Sequence, residues 1–310
     1  CTLATSARMW AVTREDCRKM NKYNPWVSFL YFFFVIAFSM FFMHPLCLLL
    51  SFAAAFIHSV LCGGKKALLF NLKAVFPLIA AAAVANPLIN HEGTHILTYF
   101  GDGNPLTLES VAYGIAAAFM MGAVICHFSC FNKIMTSDKI MYIVGGIMPS
   151  MSLVFSMTLR FVPRFSRQLK KLRDAGKAMN PAAHNNIVRK IQNGIEILSA
   201  MITWSLENAV ETADSMKSRG YGIKKRTAYS NMIFTRQDTF ALLFILVFAG
   251  IVLYAGIVGK MSFHYFPSIQ KTYIAPNDAV FFASYFLLIA LPIFDKFKER
   301  LFWRKLKSKI

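Results

Sequence analysis

The chain has 310 residues, of which 56% are apolar and only 16% charged, with a formal net charge of +19. A soluble domain of this length has about a quarter of its residues charged, and here the apolar residues are gathered in runs near bilayer length, so the composition excludes a water-soluble globular protein. The positive charge lies mainly between and after the apolar blocks, where membrane proteins hold it, and no DNA- or RNA-reading motif accompanies it, which excludes nucleic acid as the partner.

In chain order, residues 1–25 are polar and basic and read as a cytoplasmic N-terminal segment, without a signal-peptide pattern. Apolar segments follow at 26–43, 46–62, 67–89, 108–130, 141–161, 240–259 and 279–294. His44-Pro45 predicts a tight turn, Cys62-Gly63-Gly64-Lys65-Lys66 a break, and Asn86-Pro87 the end of the third segment. The loop 90–107 has no Lys or Arg, whereas Lys65, Lys66, Lys133 and Lys139 mark the alternate loops. That places the N-terminus inside and the chain inside again after four spans.

Residues 160–236 hold fifteen Lys and Arg against five acids, so this stretch must also be inside. Segment 141–161 therefore lies in or under the membrane without crossing, in keeping with Gly145, Gly146 and Pro149. The expected fold is an all-α membrane protein with about six transmembrane helices and long amphipathic cytoplasmic helices. Its parts are a membrane domain of four helices at 26–140, a membrane-apposed and cytoplasmic helical domain at 141–236, two further spans at 237–294, and a basic cytoplasmic tail at 295–310.

In the cytoplasmic region Phe155, Leu159, Val162, Phe165, Leu169 and Leu172 fall at helical steps, with Pro163 expected to kink or restart the helix and Asn180-Pro181 to stop it. A second helix is expected from about 185 to 219, with the stripe Ile191, Ile195, Leu198, Ile202, Leu206, Ala209, Ala213 and Met216. Thirty-odd residues make a rod of about 50 Å. It carries Glu196, Glu207, Glu211 and Asp214, so it is not a span and needs a partner surface.

The second helix ends Ser218-Arg219-Gly220-Tyr221-Gly222, after Leu159-Arg160-Phe161-Val162-Pro163 and Leu172-Arg173-Asp174-Ala175 in the first. With Asn24-Pro25, Asn86-Pro87-Leu88 and the run Gly103 to Ser110, these residues resemble the transmembrane (T) component of energy-coupling factor transporters, the family that includes the cobalt-importer transmembrane component. The resemblance covers most of 24–221. It implies a non-catalytic subunit that works with two ATP-binding-cassette (ABC) ATPase subunits and a substrate-binding membrane (S) subunit to import a vitamin or metal ion. It also implies that Ser218, Arg219 and Gly220 dock on an ATPase. The matching first motif is Ala178, Met179 and Asn180, with Met where Arg is usual. By the residues alone, Gly220 is a helix C-cap, and Arg219 complements the helix dipole while offering a rigid five-donor fork.

His91-Glu92-Gly93-Thr94-His95 fits the HExxH pattern of zinc metalloproteases and supplies the rival function. That motif needs a helix to bring its two His together, and Asn86-Pro87, Gly93 and the Gly101-to-Pro105 turn argue for a loop. Cys1, Cys17, Cys47, Cys62, Cys126 and Cys130 form no CxxC pair and read as packing residues. No catalytic residue, cofactor or metal is assigned from the sequence, and no phosphate-binding loop is present.

Overall fold

The computed structural model describes residues 23–99, 105–179, 187–221, 234–267 and 278–307. Two units form, one from residues 1–140 and 232–310 and one from 141–231.

In the first unit, the Xaa-Pro pairs open helices. Asn24 caps α1 (Pro25–Phe41) by accepting from the Trp26 N–H at 3.1 Å, and His44 caps α2 (Pro45–Phe70) by accepting from the Leu46 N–H at 3.3 Å. In both, Pro stands at the first helical position, where its missing N–H costs nothing. Gly64, at φ +58°, interrupts the helical backbone of α2. The chain reverses there: Ser59 and Asn71 would stand about 18 Å apart on a straight helix, yet their side chains hydrogen-bond at 3.2 Å. A π-helical turn at Asn71–Val75 leads into α3 (Phe76–Ile89), which runs past Pro87 to an Asn90 cap, slightly beyond the predicted end at Asn86-Pro87.

Strands β1 (Ile96–Tyr99) and β2 (Pro105–Thr107) pair antiparallel before α4 (Leu108–Ile134). Helix α4 lies against α2 and α3 through small residues. A Cβ at Gly114 would stand 2.9 Å from the Ala83 carbonyl, and one at Gly122 would collide with Ile79. Small residues at a membrane helix contact let backbones approach, so that dispersion forces hold them where lipid removes the hydrophobic incentive. Helix α8 (Arg236–Ile257) opens with a capping box between Thr235 and Asp238, and α9 is Asp278–Lys307. Phe32, Val35, Val252, Tyr285 and Leu288 fill the core between α1, α8 and α9, and the Tyr31 hydroxyl donates to the Ile289 carbonyl.

Contacts sort the turns of this unit onto two ends. At one end the Asn24 N–H donates to buried Asp238 at 2.9 Å, Phe29 meets Phe131, and Lys133 lies over Gly63. At the other end the Tyr265 hydroxyl donates to the Met43 carbonyl, Tyr113 meets Tyr265, and Lys260 pairs with Asp278 at 3.6 Å. The first end holds Lys65, Lys66, Lys133 and Arg236; among the described residues of the second, Lys260 is the one Lys or Arg. The six apolar segments expected to cross are each helical and run between these ends. By length and composition, Pro45–Ile89, Leu108–Ile134 and Arg236–Ile257 suffice to cross a membrane, and Pro25–Phe41 and Asp278–Phe294 are shorter apolar helices.

Helix α5 (Ser137–Ile147) leads into the second unit, where Met148 separates it from α6 (Pro149–Met179). Segment 141–161 is thus two helical pieces. The sequence predicted a kink or restart at Pro163, but α6 passes through it unbroken. The Leu159 carbonyl that loses its partner lies on an exposed turn, where water satisfies it. Helix α7 spans Ile187–Ser218.

Candidate functional site

Helices α6 and α7 form an antiparallel hairpin. Phe165 meets Trp204 edge-on, with ring centroids 5.4 Å apart, and the Arg164 guanidinium covers the same indole at 5.6 Å. Eleven positions further along α6, Gly176 faces Asn193 and Ile197, where a Cβ would stand 3.2 Å from the Asn193 side-chain oxygen. The two contacts step equally in opposite directions along the two helices, which defines the antiparallel register. Edge-on aromatic contact and the cation over indole each contribute about 0.5–1.5 kcal/mol.

The face of α7 that meets α6 is not the one its apolar stripe suggests. Asn193, Ile197, Met201, Trp204 and Asn208 are partly covered, whereas Ile191, Ile195, Leu198, Ile202 and Leu206 are all more than half exposed. No residue of α7 is buried. Phe155, Leu159 and Val162 of α6 are exposed as well. A hairpin tens of ångströms long therefore presents an unbroken apolar stripe.

The two candidate docking motifs stand at opposite ends of this rod. Ala178 and Met179 end α6 beside the first turns of α7, and Met179 is 86% exposed; Asn180 lies outside the described residues. Ser218, Arg219 and Gly220 end α7, about 46 Å from Ile187 at 1.5 Å per residue. Gly220, at φ +72°, closes a Schellman motif: the Tyr221 N–H donates to Met216 O and the Gly220 N–H to Lys217 O. A β-carbon is disfavoured at that φ, so Gly is required. The cap fixes the last turn and leaves Arg219 exposed at its tip.

The HExxH residues form no such rod. His91 to His95 are non-helical, so the one-turn spacing that would join His91 to His95 is not made. The segment is tied down by polar contacts. Wholly buried Glu109, in the first turn of α4, accepts from the Thr94 hydroxyl at 3.0 Å and the His95 N–H at 3.2 Å; the Thr107 hydroxyl donates to the Glu92 carbonyl and Ser110 to the Asn90 carbonyl. The sequence named Glu109 only within the Gly103-to-Ser110 run, and its role as an anchor for residues 91–95 was missed, although an acid in a helix's first turn is the available signal. Among the described residues, the one cluster with metal-ligand proximity lies elsewhere and contains neither His91 nor His95.

Residues 18–229, more than half of the chain, match the cobalt transport protein family. The chain belongs to that family. It is also similar to energy-coupling factor transporter transmembrane protein EcfT of Streptococcus thermophilus, 32% identical over 104 residues, which is 33% of this chain and 39% of that protein. The protein of the same name from Staphylococcus aureus is 31% identical over 101 residues, 32% of this chain and 38% of the relative. The one from Streptococcus equi is 30% identical over 97 residues, 31% and 36% respectively. The matched stretch spans about two-fifths of the length of these relatives. Family membership agrees with the resemblance carried by the helix-end motifs, and the zinc-protease alternative finds no support in fold or kinship.

Proposed function

We propose that this chain is the transmembrane coupling subunit of an energy-coupling factor type importer, passing ATP-driven motion from two ABC ATPase subunits to a substrate-binding membrane subunit. The observation that carries this reading is the α6–α7 hairpin, with its uncovered apolar stripe and an exposed motif at each end. The printed names of the relatives support it. A rod with tips about 46 Å apart suits two separate partners, one per tip. The stripe supplies an adhesive face for a membrane subunit, and the tips carry force. In this reading Ser218, Arg219 and Gly220 seat in one ATPase, and Ala178, Met179 and Asn180 in the other. The cargo, a vitamin or metal ion, is chosen by the partner subunit.

The orientation follows from charge. The Lys- and Arg-rich end of the first unit faces the cytoplasm, with both chain termini and the hairpin on that side and six spans in all. A single cysteine at Tyr99 is then labelled by an impermeant thiol reagent from outside, and one at Lys66 is not; the reverse pattern overturns this orientation.

Arg219→Glu tests the coupling role. An interfacial charge pair that loses one partner costs about 2–5 kcal/mol, whereas losing a helix-dipole interaction costs about 0.3–1 kcal/mol. The variant is expected to lose ATPase subunits on purification in mild detergent, or to hydrolyse ATP without uptake. Gly220→Ala, which disturbs the cap and leaves the guanidinium, is expected to do less. Normal assembly, uptake and ATPase coupling in Arg219→Glu would reduce Arg219 to a helix end.

A further inference from the structure

Three metal-ligating side chains converge inside the first unit, at its basic end. His58 and Cys62 lie one turn apart on α2, and Cys130 comes from α4. A ligand atom from each lies within 4.8 Å of the other two, and all three residues are buried. The sequence conceals this group because its donors come from two helices, and the one-turn spacing of His58 and Cys62 supplies only two of the ligands. Phe32 stacks on the His58 ring at 6.0 Å between centroids and closes one side. His127, one turn before Cys130, is wholly buried, and neither of its ring nitrogens has a hydrogen-bond partner. It lies close enough to His58 for the two rings to interact electrostatically.

We propose that His58, Cys62 and Cys130 form a resident site for a thiophilic divalent cation, best suited to zinc, with His127 as the further donor beside it. The donor set makes the selection. Imidazole and thiolate favour borderline-soft ions, while magnesium and calcium require oxygen ligands. Charge selects further. An isolated charge is costly in an apolar interior, and two thiolates neutralise a divalent ion but would leave a monovalent one with a net negative charge. The geometry is nearly assembled. Bonds of about 2.0–2.3 Å in a tetrahedron place donors about 3.3–3.8 Å apart, so closure from the present separation needs a shift of about 1 Å. Binding releases the two thiol protons to solvent and changes no oxidation state. All three donor residues are buried, as the ligands of structural zinc sites are. It would bind α2 to α4 just before the chain reverses at Gly64.

The test is a titration of the purified full-length chain, in detergent and freed of metal by a chelator, with Zn2+ by calorimetry and Co2+ by absorption. One equivalent of each is expected to bind saturably, with thiolate-to-cobalt charge-transfer bands and the intense visible bands of tetrahedral cobalt. Cys62→Ser and Cys130→Ser are each expected to lower affinity at least 100-fold and to remove charge-transfer intensity. Cys126→Ser and Cys47→Ser, which change buried thiols outside the cluster, are expected to bind as the parent does. Absence of saturable binding to the parent chain overturns the proposal without reference to any variant, and the cluster is then simple packing of small side chains. Equal loss in Cys126→Ser and Cys130→Ser, or undiminished binding in a folded Cys130→Ser, overturns it equally.

Discussion

The two units solve opposite problems with the same kind of helix. In the first, Phe32, Val35, Val252 and Tyr285 are fully buried and polar side chains cap the helix starts. In the second, two helices of 31 and 32 residues touch along one narrow face, and α7 buries no residue at all. The first unit holds itself together. The second is a rod held by an aromatic contact, a guanidinium and a glycine approach, with its best apolar surface left over. A helix pair of that kind is unfinished without a partner, since exposed apolar patches this long mark interaction sites.

Truncating equivalent bulk in the two regions sharpens the contrast. Phe32→Ala should have the largest effect, about 3–5 kcal/mol of stability, read as a lowered midpoint of thermal aggregation in detergent. If it falls no further than the hairpin variants below, the core assignment fails. Trp204→Ala should come next, costing about 1–2 kcal/mol, because Phe165 and Arg164 both lose their contact. Tryptic cleavage within α6 should then quicken by roughly 5–30-fold, and an unchanged cleavage rate would mean that the hairpin is held by something other than this contact. Leu198→Ser should be the smallest, within about 0.5 kcal/mol for the isolated chain, while lowering recovery of the membrane partner on copurification. A large loss of stability in the chain alone would show that the stripe is already covered.

Much of this was legible in sequence because membrane helices announce themselves by run length. Asn24-Pro25 and His44-Pro45 became helix starts, the basic and non-basic loops fell on opposite ends, and Gly220 closed the cap that its position implied. What was not legible has separate causes. Pro163 looked like a breaker, but on an exposed turn the carbonyl it frees is taken by water, so the helix continues. The stripe from Ile191 to Leu206 called for a partner surface, either the first helix or another chain, because periodicity reveals an apolar face without naming what covers it. Trp204, off that stripe, makes the contact instead. The anchoring role of Glu109 and the His58, Cys62 and Cys130 group were invisible because each gains its meaning from residues on another element.

The Asn24–Asp238 hydrogen bond carries a last consequence. It fastens the start of α1 to the start of α8, so the chain re-enters the first unit at the end from which α4 leaves it. Both points lie at the same end of the first unit. The segment between them can gain or lose helical turns without inverting the helices that follow, because a segment that leaves and re-enters at the same end leaves topology untouched. The length of the rod is therefore free to vary while the topology of the first unit stays as it is.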